Sequence, residues 1–174
     1  MADEPDGSEC PEELTSRTPV EEDLVKLCRR LNELGARYVV CGGFAIIRAG
    51  YARLTNDIDL LIATDLENEA RVYEALEVFS DKAVRDLDPG DVGKFVVVRV
   101  ADEVTVDLMR AAAGIEYAEA AQHVVTREVQ GVPIPFASPQ LLWRMKRHTH
   151  REKDAPDLYF LRELFQKHGV TPPE

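Results

Sequence analysis

A glycine pair followed by two closely spaced aspartates most constrains what this chain can fold into. Gly42 and Gly43 end a short apolar run, and Asp57 lies fourteen residues after Gly43 in a second strand-like run. Because side chains alternate along a β-strand, Asp57 and Asp59 share one face, with Cα atoms roughly 6.5–7 Å apart. Two glycines offer bare backbone to a phosphate, and paired carboxylates need a compensating cation. Together they predict phosphoryl or nucleotidyl transfer.

A third carboxylate lies on a later predicted strand. Apolar residues alternate with Asp107 in the run 104–109, so Asp107 occupies the polar face, which the strand of Asp57 and Asp59 could share. A solvated strand face explains any one of these acids alone. Three acids on one face, with no base paired nearby in sequence, are hard to stabilise without a metal ion. We therefore expect Mg²⁺ or Mn²⁺ at Asp57, Asp59 and Asp107.

Hydrophobic periodicity predicts an α/β fold, a small mixed β-sheet flanked by helices, with a short helical C-terminal segment. Residues 1–19 are rich in acids and proline, with few large apolar residues, and are interpreted as a mobile tail, and 20–174 as a single domain. The predicted strands are 37–41, 57–63, 94–100, 104–109 and two within 123–136, and the predicted helices are 24–34, 44–48, one after Thr64, one from Pro139, and 154–168.

Two helix starts carry capping signals. Thr64 and Glu67 have the spacing of a capping box, and Ser138 precedes a proline at a predicted first turn. If Thr64 caps its helix, the residues that face the core are Leu66, Ala70, Tyr73 and Leu76.

Composition limits the function classes. Most of the net charge of −11 falls in residues 1–23, which hold nine acids and one arginine, so the whole-chain charge says little about what the body binds. No apolar run approaches 18 residues, which predicts that the chain does not span a membrane. The acidic N-terminus is unlike a secretory signal, and the three scattered cysteines suit a reducing cytoplasm.

The arrangement of the glycine pair, Asp57-Ile58-Asp59-Leu60 and Asp107 resembles the nucleotidyltransferase superfamily that includes DNA polymerase beta. The resemblance covers residues 36–109. It implies transfer of a nucleoside monophosphate from a nucleoside triphosphate, with Gly42 and Gly43 at the nucleotide and the three acids as catalytic metal ligands.

Two further segments resemble the toxin-like nucleotidyltransferases of abortive-infection and toxin–antitoxin systems. They are 50–57, which includes Arg53 and Thr55, and 141–158. The likeness implies that Lys146 is catalytic and that Lys146, Arg53 and Thr55 contact the nucleotide. It also implies a later acid, which is Asp154 or Asp157. The alternatives remain open: a solvated Lys146, an ordinary surface Arg53, and two acids that cap the last helix.

The acceptor is predicted from a basic run that holds more positive charge than one triphosphate needs: Arg144, Lys146, Arg147, Arg151 and Lys153. Such a run favours a phosphate-rich acceptor, an RNA such as tRNA, or else a protein hydroxyl. A toxin-type enzyme would also have a cognate antitoxin as partner. The rival interpretations are an enzyme of the same fold that modifies an antibiotic, and a non-catalytic module that binds a partner.

Overall fold

The computed structural model describes residues 15–174. Seven α-helices, α1 to α7, span Glu21–Glu33, Gly42–Ala49, Leu66–Leu76, Asp91–Lys94, Tyr117–Ala120, Pro139–Lys146 and Ala155–Lys167. Eight strands, β1 to β8, span Tyr38–Cys41, Asp57–Ile62, Val97–Ala101, Thr105–Met109, Ala111–Ala112, Ile115–Glu116, Val124–Val129 and Val132–Ala137. Within these residues no helix is long and apolar enough to cross a membrane.

Six of the strands form one mixed sheet in the order β3-β4-β2-β1-β8-β7. The central strand β2 runs antiparallel to β1 and parallel to β4. β3 and β4 form the hairpin that the runs 94–100 and 104–109 predict. The two strands predicted within 123–136, β7 and β8, also pair antiparallel. The structure thus confirms the α/β fold with a small mixed sheet and flanking helices.

Alternation of side chains along β2 and β4 separates the core from the polar face of the sheet. The core side of these two strands is formed by fully buried aliphatic residues, Ile58, Leu60, Val106 and Leu108. Burying each such side chain stabilises the fold by about 1.5–3 kcal/mol. Because a shift of one residue would bury the aspartates instead, this pattern fixes the register of the strands and the direction of the acids.

The start and the buried face of α3 differ from the sequence prediction. Asp65, not Thr64, caps the helix, since its carboxylate accepts a hydrogen bond from the Asn68 backbone N–H at 3.0 Å. Of the four residues predicted to face the core, Leu76 is buried and Tyr73 is partly buried, but Leu66 and Ala70 are exposed. Asn68 is fully buried. The Asn68 amide accepts from the Arg37 N–H at 2.7 Å and donates to two backbone carbonyls, so its burial satisfies the backbone beside β1.

The C-terminal helices begin close to where the sequence places them. Ser138 caps α6 by accepting from the Leu141 N–H at 3.2 Å, as predicted. α6 packs on both α2 and α7, which brings the C-terminal segment against the glycine turn at the start of α2.

The predicted mobile tail lies largely outside the described residues. In its described part, the Ser16 hydroxyl donates to the Asp102 carbonyl at 2.7 Å, and Arg17 binds the carboxylate of Asp23. The division at residue 19 stays a prediction.

Candidate functional site

Two parallel neighbouring strands bring three carboxylates together. Asp59 on β2 lies opposite Asp107 on β4, and Asp57 lies two residues earlier on the same face as Asp59. One ligand oxygen from each of the three residues lies within 4.8 Å of the others. Asp57 and Asp59 are partly exposed and Asp107 is buried. The strand phase predicted from sequence is therefore correct, and the donor set, three carboxylates, is the chemistry that a hard divalent cation prefers.

A basic residue that the sequence prediction missed also lies at this cluster. Arg99 on β3 faces Asp107 across the hairpin and binds it through two contacts, Nε–Oδ1 at 2.8 Å and Nη2–Oδ2 at 2.9 Å. Its Nη2 also lies 3.2 Å from Asp57 Oδ2. The expectation that no base accompanies the acids was wrong because sequence distance hides a cross-strand pair. The strands predicted at 94–100 and 104–109 would put Arg99 opposite Thr105, whereas the observed register pairs Val100 with Val106 and so brings Arg99 opposite Asp107.

The electrostatics single out Asp59 among the three acids. Burial raises the pKa of Asp59 to about 7, and the like charges of Asp57 and Asp107 add to the rise. The positive charges of Lys146 and Lys153 oppose it. The two lysines from the C-terminal segment thus act electrostatically on the carboxylate cluster.

The glycine turn lies directly against these acids. β1 ends at Cys41, which pairs with Asp59, and Gly42 follows with φ +60°. A Cβ on Gly42 would lie 2.0 Å from Asp59 Oδ2, so only glycine fits beside this carboxylate.

Residues 53–55 close the other side of the turn. A Cβ on Gly43 would lie 2.3 Å from Thr55 Oγ1 and 3.2 Å from Arg53 Nη2. The Thr55 hydroxyl donates to the Asp57 carbonyl at 3.0 Å, which ties this segment to β2. Four of the five residues predicted to contact the nucleotide, Gly42, Gly43, Arg53 and Thr55, are therefore brought together at the start of α2.

Lys146 lies in a buried ion cluster formed with α7. Its Nζ is 2.8 Å from Asp154 Oδ1 and 3.1 Å from Asp157 Oδ2, and its side chain is 11% exposed. Asp157 also pairs with Arg53 at 3.1 Å. Lys146 is thus not the solvated lysine of an amphipathic helix, and Arg53 is not an ordinary surface arginine.

The two acids do not cap the last helix. Asp154 immediately precedes α7 but makes no capping hydrogen bond. Its carboxylate instead accepts from Lys146, from the Thr149 hydroxyl at 2.6 Å and from Arg151 at 2.9 Å. Burial alone would raise the pKa of Asp154, but the hydrogen bonds from Lys146 and Thr149 outweigh it and hold the pKa below its usual value.

The basic run is more neutralised than its sequence suggests. Arg144 pairs with Glu119, and Lys146 and Arg151 pair with acids of the ion cluster. Arg147 donates to the Pro173 carbonyl at 3.0 Å, and Lys153 is exposed. The expectation of a surplus of positive charge was therefore too high, because three of these five residues are paired within the described part of the chain.

Asp102, another acid of the β3–β4 hairpin, has a structural role. Asp102 is buried in the β3–β4 turn, where its carboxylate accepts from the backbone N–H groups of Asp81, Ala83 and Glu103 at 2.7–2.9 Å. It anchors the hairpin that carries Arg99 and Asp107.

Comparisons with solved structures show the same fold at low sequence identity. Lincomycin-bound LnuA, a lincosamide antibiotic adenylyltransferase, aligns with a TM-score of 0.55 and 14% identity over 85% of this chain and 99% of its own. An antigenic nucleotidyltransferase-like protein from Paracoccidioides brasiliensis gives 0.54 and 18% over 82% and 75%. TM1012 from Thermotoga maritima, assigned as a nucleotidyltransferase, gives 0.51 and 19% over 84% and 92%.

A comparison of sequences, rather than of folds, identifies the family to which this chain belongs. No curated protein matches this chain in sequence. A family model described as "Nucleotidyl transferase of unknown function (DUF2204)" matches residues 20–171, which include the glycine turn, the three acids and the ion cluster. Since this match spans most of the chain, the protein belongs to that family of nucleotidyl transferases.

Proposed function

We propose that the protein transfers a nucleoside monophosphate from a nucleoside triphosphate to an acceptor hydroxyl and releases pyrophosphate. The observation that carries the proposal is the convergence of Asp57, Asp59 and Asp107 beside a glycine turn that leaves no room for a Cβ. Three carboxylate oxygens within 4.8 Å of one another fit a hard divalent cation.

The three acids would hold Mg²⁺ or Mn²⁺. When bound there, the ion polarises the α-phosphate and stabilises charge on the attacking and leaving oxygens. Asp107 is in addition the acid proposed to accept the proton of the acceptor hydroxyl, since it lies on the strand next to Asp59.

The turn at the start of α2 would bind the triphosphate. The backbone N–H groups of Gly42 and Gly43 begin a helix of eight residues, where partial positive charge favours a phosphate. Thr55 and Arg53 lie against Gly43 and would contact the same phosphates. The absence of side chains on the glycines allows the phosphate chain to approach the backbone.

Lys146 would offset negative charge at the reacting phosphates. Its charge already lowers the pKa of Asp59, which supports a position close to the carboxylates. Asp154 and Asp157 hold its ammonium group in the buried cluster, so the role of these two acids is to position Lys146 and Arg53.

For the acceptor, we propose the end of an RNA such as tRNA, or a protein hydroxyl, in a toxin-type enzyme that has a cognate antitoxin. The basic run supports this choice, and Lys153 is its exposed lysine. The pairing of Arg144, Lys146 and Arg151 with acids favours a second candidate, a small acceptor such as an antibiotic, because less charge is left for a polyanion. The fold shared with LnuA is compatible with this second candidate.

A labelling assay tests the proposal. The protein is incubated with labelled nucleoside triphosphates and Mg²⁺, and separate reactions also contain total RNA, a protein extract, aminoglycosides or lincosamides. We expect label on RNA or protein, and none with Asp59→Asn. Label on an antibiotic alone would select the second candidate. A ligand at a hundredfold excess over its Kd stabilises the folded protein by about 2.7 kcal/mol and so raises its Tm. If the protein labels nothing and its Tm does not change with millimolar Mg²⁺ and nucleotide, it is a non-catalytic module that binds a partner.

A further inference from the structure

Arg99 has an unusual position for a residue of an edge strand. β3 is the outermost strand beside the carboxylate cluster, and the Arg99 side chain is 63% exposed. A long exposed arginine normally gains little from one geometry, because holding it costs side-chain entropy. Here the side chain folds back over the sheet and binds two acids at once.

The contacts of Arg99 go to the oxygens that the proposed function needs as metal ligands. Both oxygens of Asp107 are engaged, at 2.8 and 2.9 Å, and Asp57 Oδ2 lies 3.2 Å from Nη2. A two-pronged arginine–carboxylate contact is the strong form of this interaction. Every side-chain hydrogen bond of Arg99 among the described residues is made to these two acids.

We propose that Arg99 is a built-in counter-ion that takes the place of a divalent cation between Asp57 and Asp107 and is displaced when the cation binds. This inference rests on the proposed function. A cation and a guanidinium group compete for the same carboxylate oxygens, and the positive charge of one repels the other. Because its side chain is mostly in solvent and holds no third partner within the described residues, Arg99 can turn outward without breaking other hydrogen bonds.

The exchange follows from the charge of the cluster. Ionised carboxylates with oxygens within 4.8 Å of one another repel, and a nearby positive charge relieves this repulsion in the metal-free protein. Arg99 supplies that charge at the cost of weaker binding of free metal. A cation that arrives with a triphosphate gains phosphate ligands as well, and is therefore better able to displace the arginine than a free cation is.

Mn²⁺ binding without nucleotide, followed by electron paramagnetic resonance, tests this competition. Arg99→Gln should bind free Mn²⁺ roughly tenfold more tightly than the wild type, as expected for removal of one nearby positive charge. Arg85→Gln is the matched control, since Arg85 is 61% exposed and pairs with Glu77 through two contacts. Its Mn²⁺ affinity should equal that of the wild type.

The outcomes separate this inference from the proposed function. Equal or weaker Mn²⁺ binding by Arg99→Gln would overturn the competition and make Arg99 a residue that orients the carboxylates. Failure of both folded proteins to bind Mn²⁺, with or without nucleotide, would overturn the metal site itself.

A second variant covers the case in which Arg99→Gln does not fold. Arg99→Lys keeps the charge but lacks the two-pronged contact, and we expect it to bind Mn²⁺ more tightly than the wild type does. An Arg99→Gln protein that folds only when Mn²⁺ is added would support the counter-ion role. The counter-ion role would be contradicted if Arg99→Lys bound Mn²⁺ with the affinity of the wild type and Mn²⁺ did not restore the folding of Arg99→Gln.

Discussion

Arg53 and Asp157 lie 104 positions apart in the sequence and form an ion pair, with a hydrogen bond from Nη2 to Oδ2 at 3.1 Å and with Nε 3.1 Å from Oδ1. Asp157 also binds Lys146 and is 1% exposed, so one carboxylate holds two basic residues that approach from different elements. This links the last helix to the segment that precedes β2.

Replacing Asp157 by Asn should destabilise the protein by about 3 kcal/mol, because removing one partner of a buried ion pair leaves uncompensated charge. Arg53→Gln should lower the free energy of unfolding by less, because Asp157 still pairs with Lys146 and Arg53 is 29% exposed. Urea denaturation measures both. Glu77→Gln, which breaks an exposed pair with Arg85, is the control and should leave the midpoint unchanged. Equal midpoints for Asp157→Asn and the control would show that the cluster adds no stability.

Asp57→Ala, Asp59→Ala and Asp107→Ala should each lower nucleotide transfer by at least about a hundredfold while the protein stays folded. The reason is that each acid supplies one ligand oxygen of the cluster. Transfer assays and circular dichroism measure activity and folding. Glu128→Ala, an exposed carboxylate on the opposite edge strand β7, should be fully active. Near-normal activity of Asp107→Ala would show that a residue other than Asp107 is the third metal ligand.

Without metal, the protein should become less stable as the pH rises from about 4 to 7. The pKa of Asp59 is about 7, above the usual 3.8, so over this range the folded protein keeps a proton that the unfolded chain has lost. The effect is at most about 4 kcal/mol. Asp59→Asn should flatten the slope, and saturating Mg²⁺ should do so too, because it favours the ionised carboxylate. Melting scans at pH 5, 6, 7 and 8 measure how stability changes with pH. If Asp59→Asn shows the same slope as the wild type, a group other than Asp59 causes the pH dependence.

Gly42→Ala should abolish stabilisation by Mg²⁺ and nucleotide, because its Cβ would lie 2.0 Å from Asp59 Oδ2 and push this carboxylate aside. Gly131→Ala is a matched control. Gly131 also has positive φ, +79°, but no atom within the described residues lies within 4 Å of an added Cβ. Both variants should lose about 1 kcal/mol from backbone strain, and ligand-dependent melting shifts separate them. A normal shift in Gly42→Ala would contradict the close approach.

Local patterns were sufficient to predict the six strands of the mixed sheet, the glycine turn and the direction of the three acids, but not the short strands β5 and β6. Alternating burial fixes Asp57 and Asp59 on one face, and the hairpin places Asp107 beside them. The buried face of α3 was mispredicted because Asn68, a polar residue, is buried to satisfy backbone groups of Arg37 and Ala63.

Contacts between distant segments were beyond reach of the same reasoning. Nothing in the residues around Arg53 or Asp157 indicates the other, since their contact depends on how α6 and α7 pack on α2. The pairing of Arg99 with Asp107 was partly accessible: alternation along the predicted hairpin puts Arg99 on the face of the acids, but the predicted strand ends put it opposite Thr105, two residues from its observed partner. The distinction is physical: a register propagates along hydrogen-bonded strands, whereas helix packing depends on the whole core.

The ion cluster at α7 also sets when the site is completed during synthesis. A chain leaves the ribosome N-terminus first, so β2 and β4 emerge before α7. Asp157 follows Arg53 by 104 residues and Lys146 by 11. Arg53 and Lys146 therefore gain their shared carboxylate only after α7 has emerged, and a chain synthesised only as far as β4 carries the three acids without the cluster that positions the two bases.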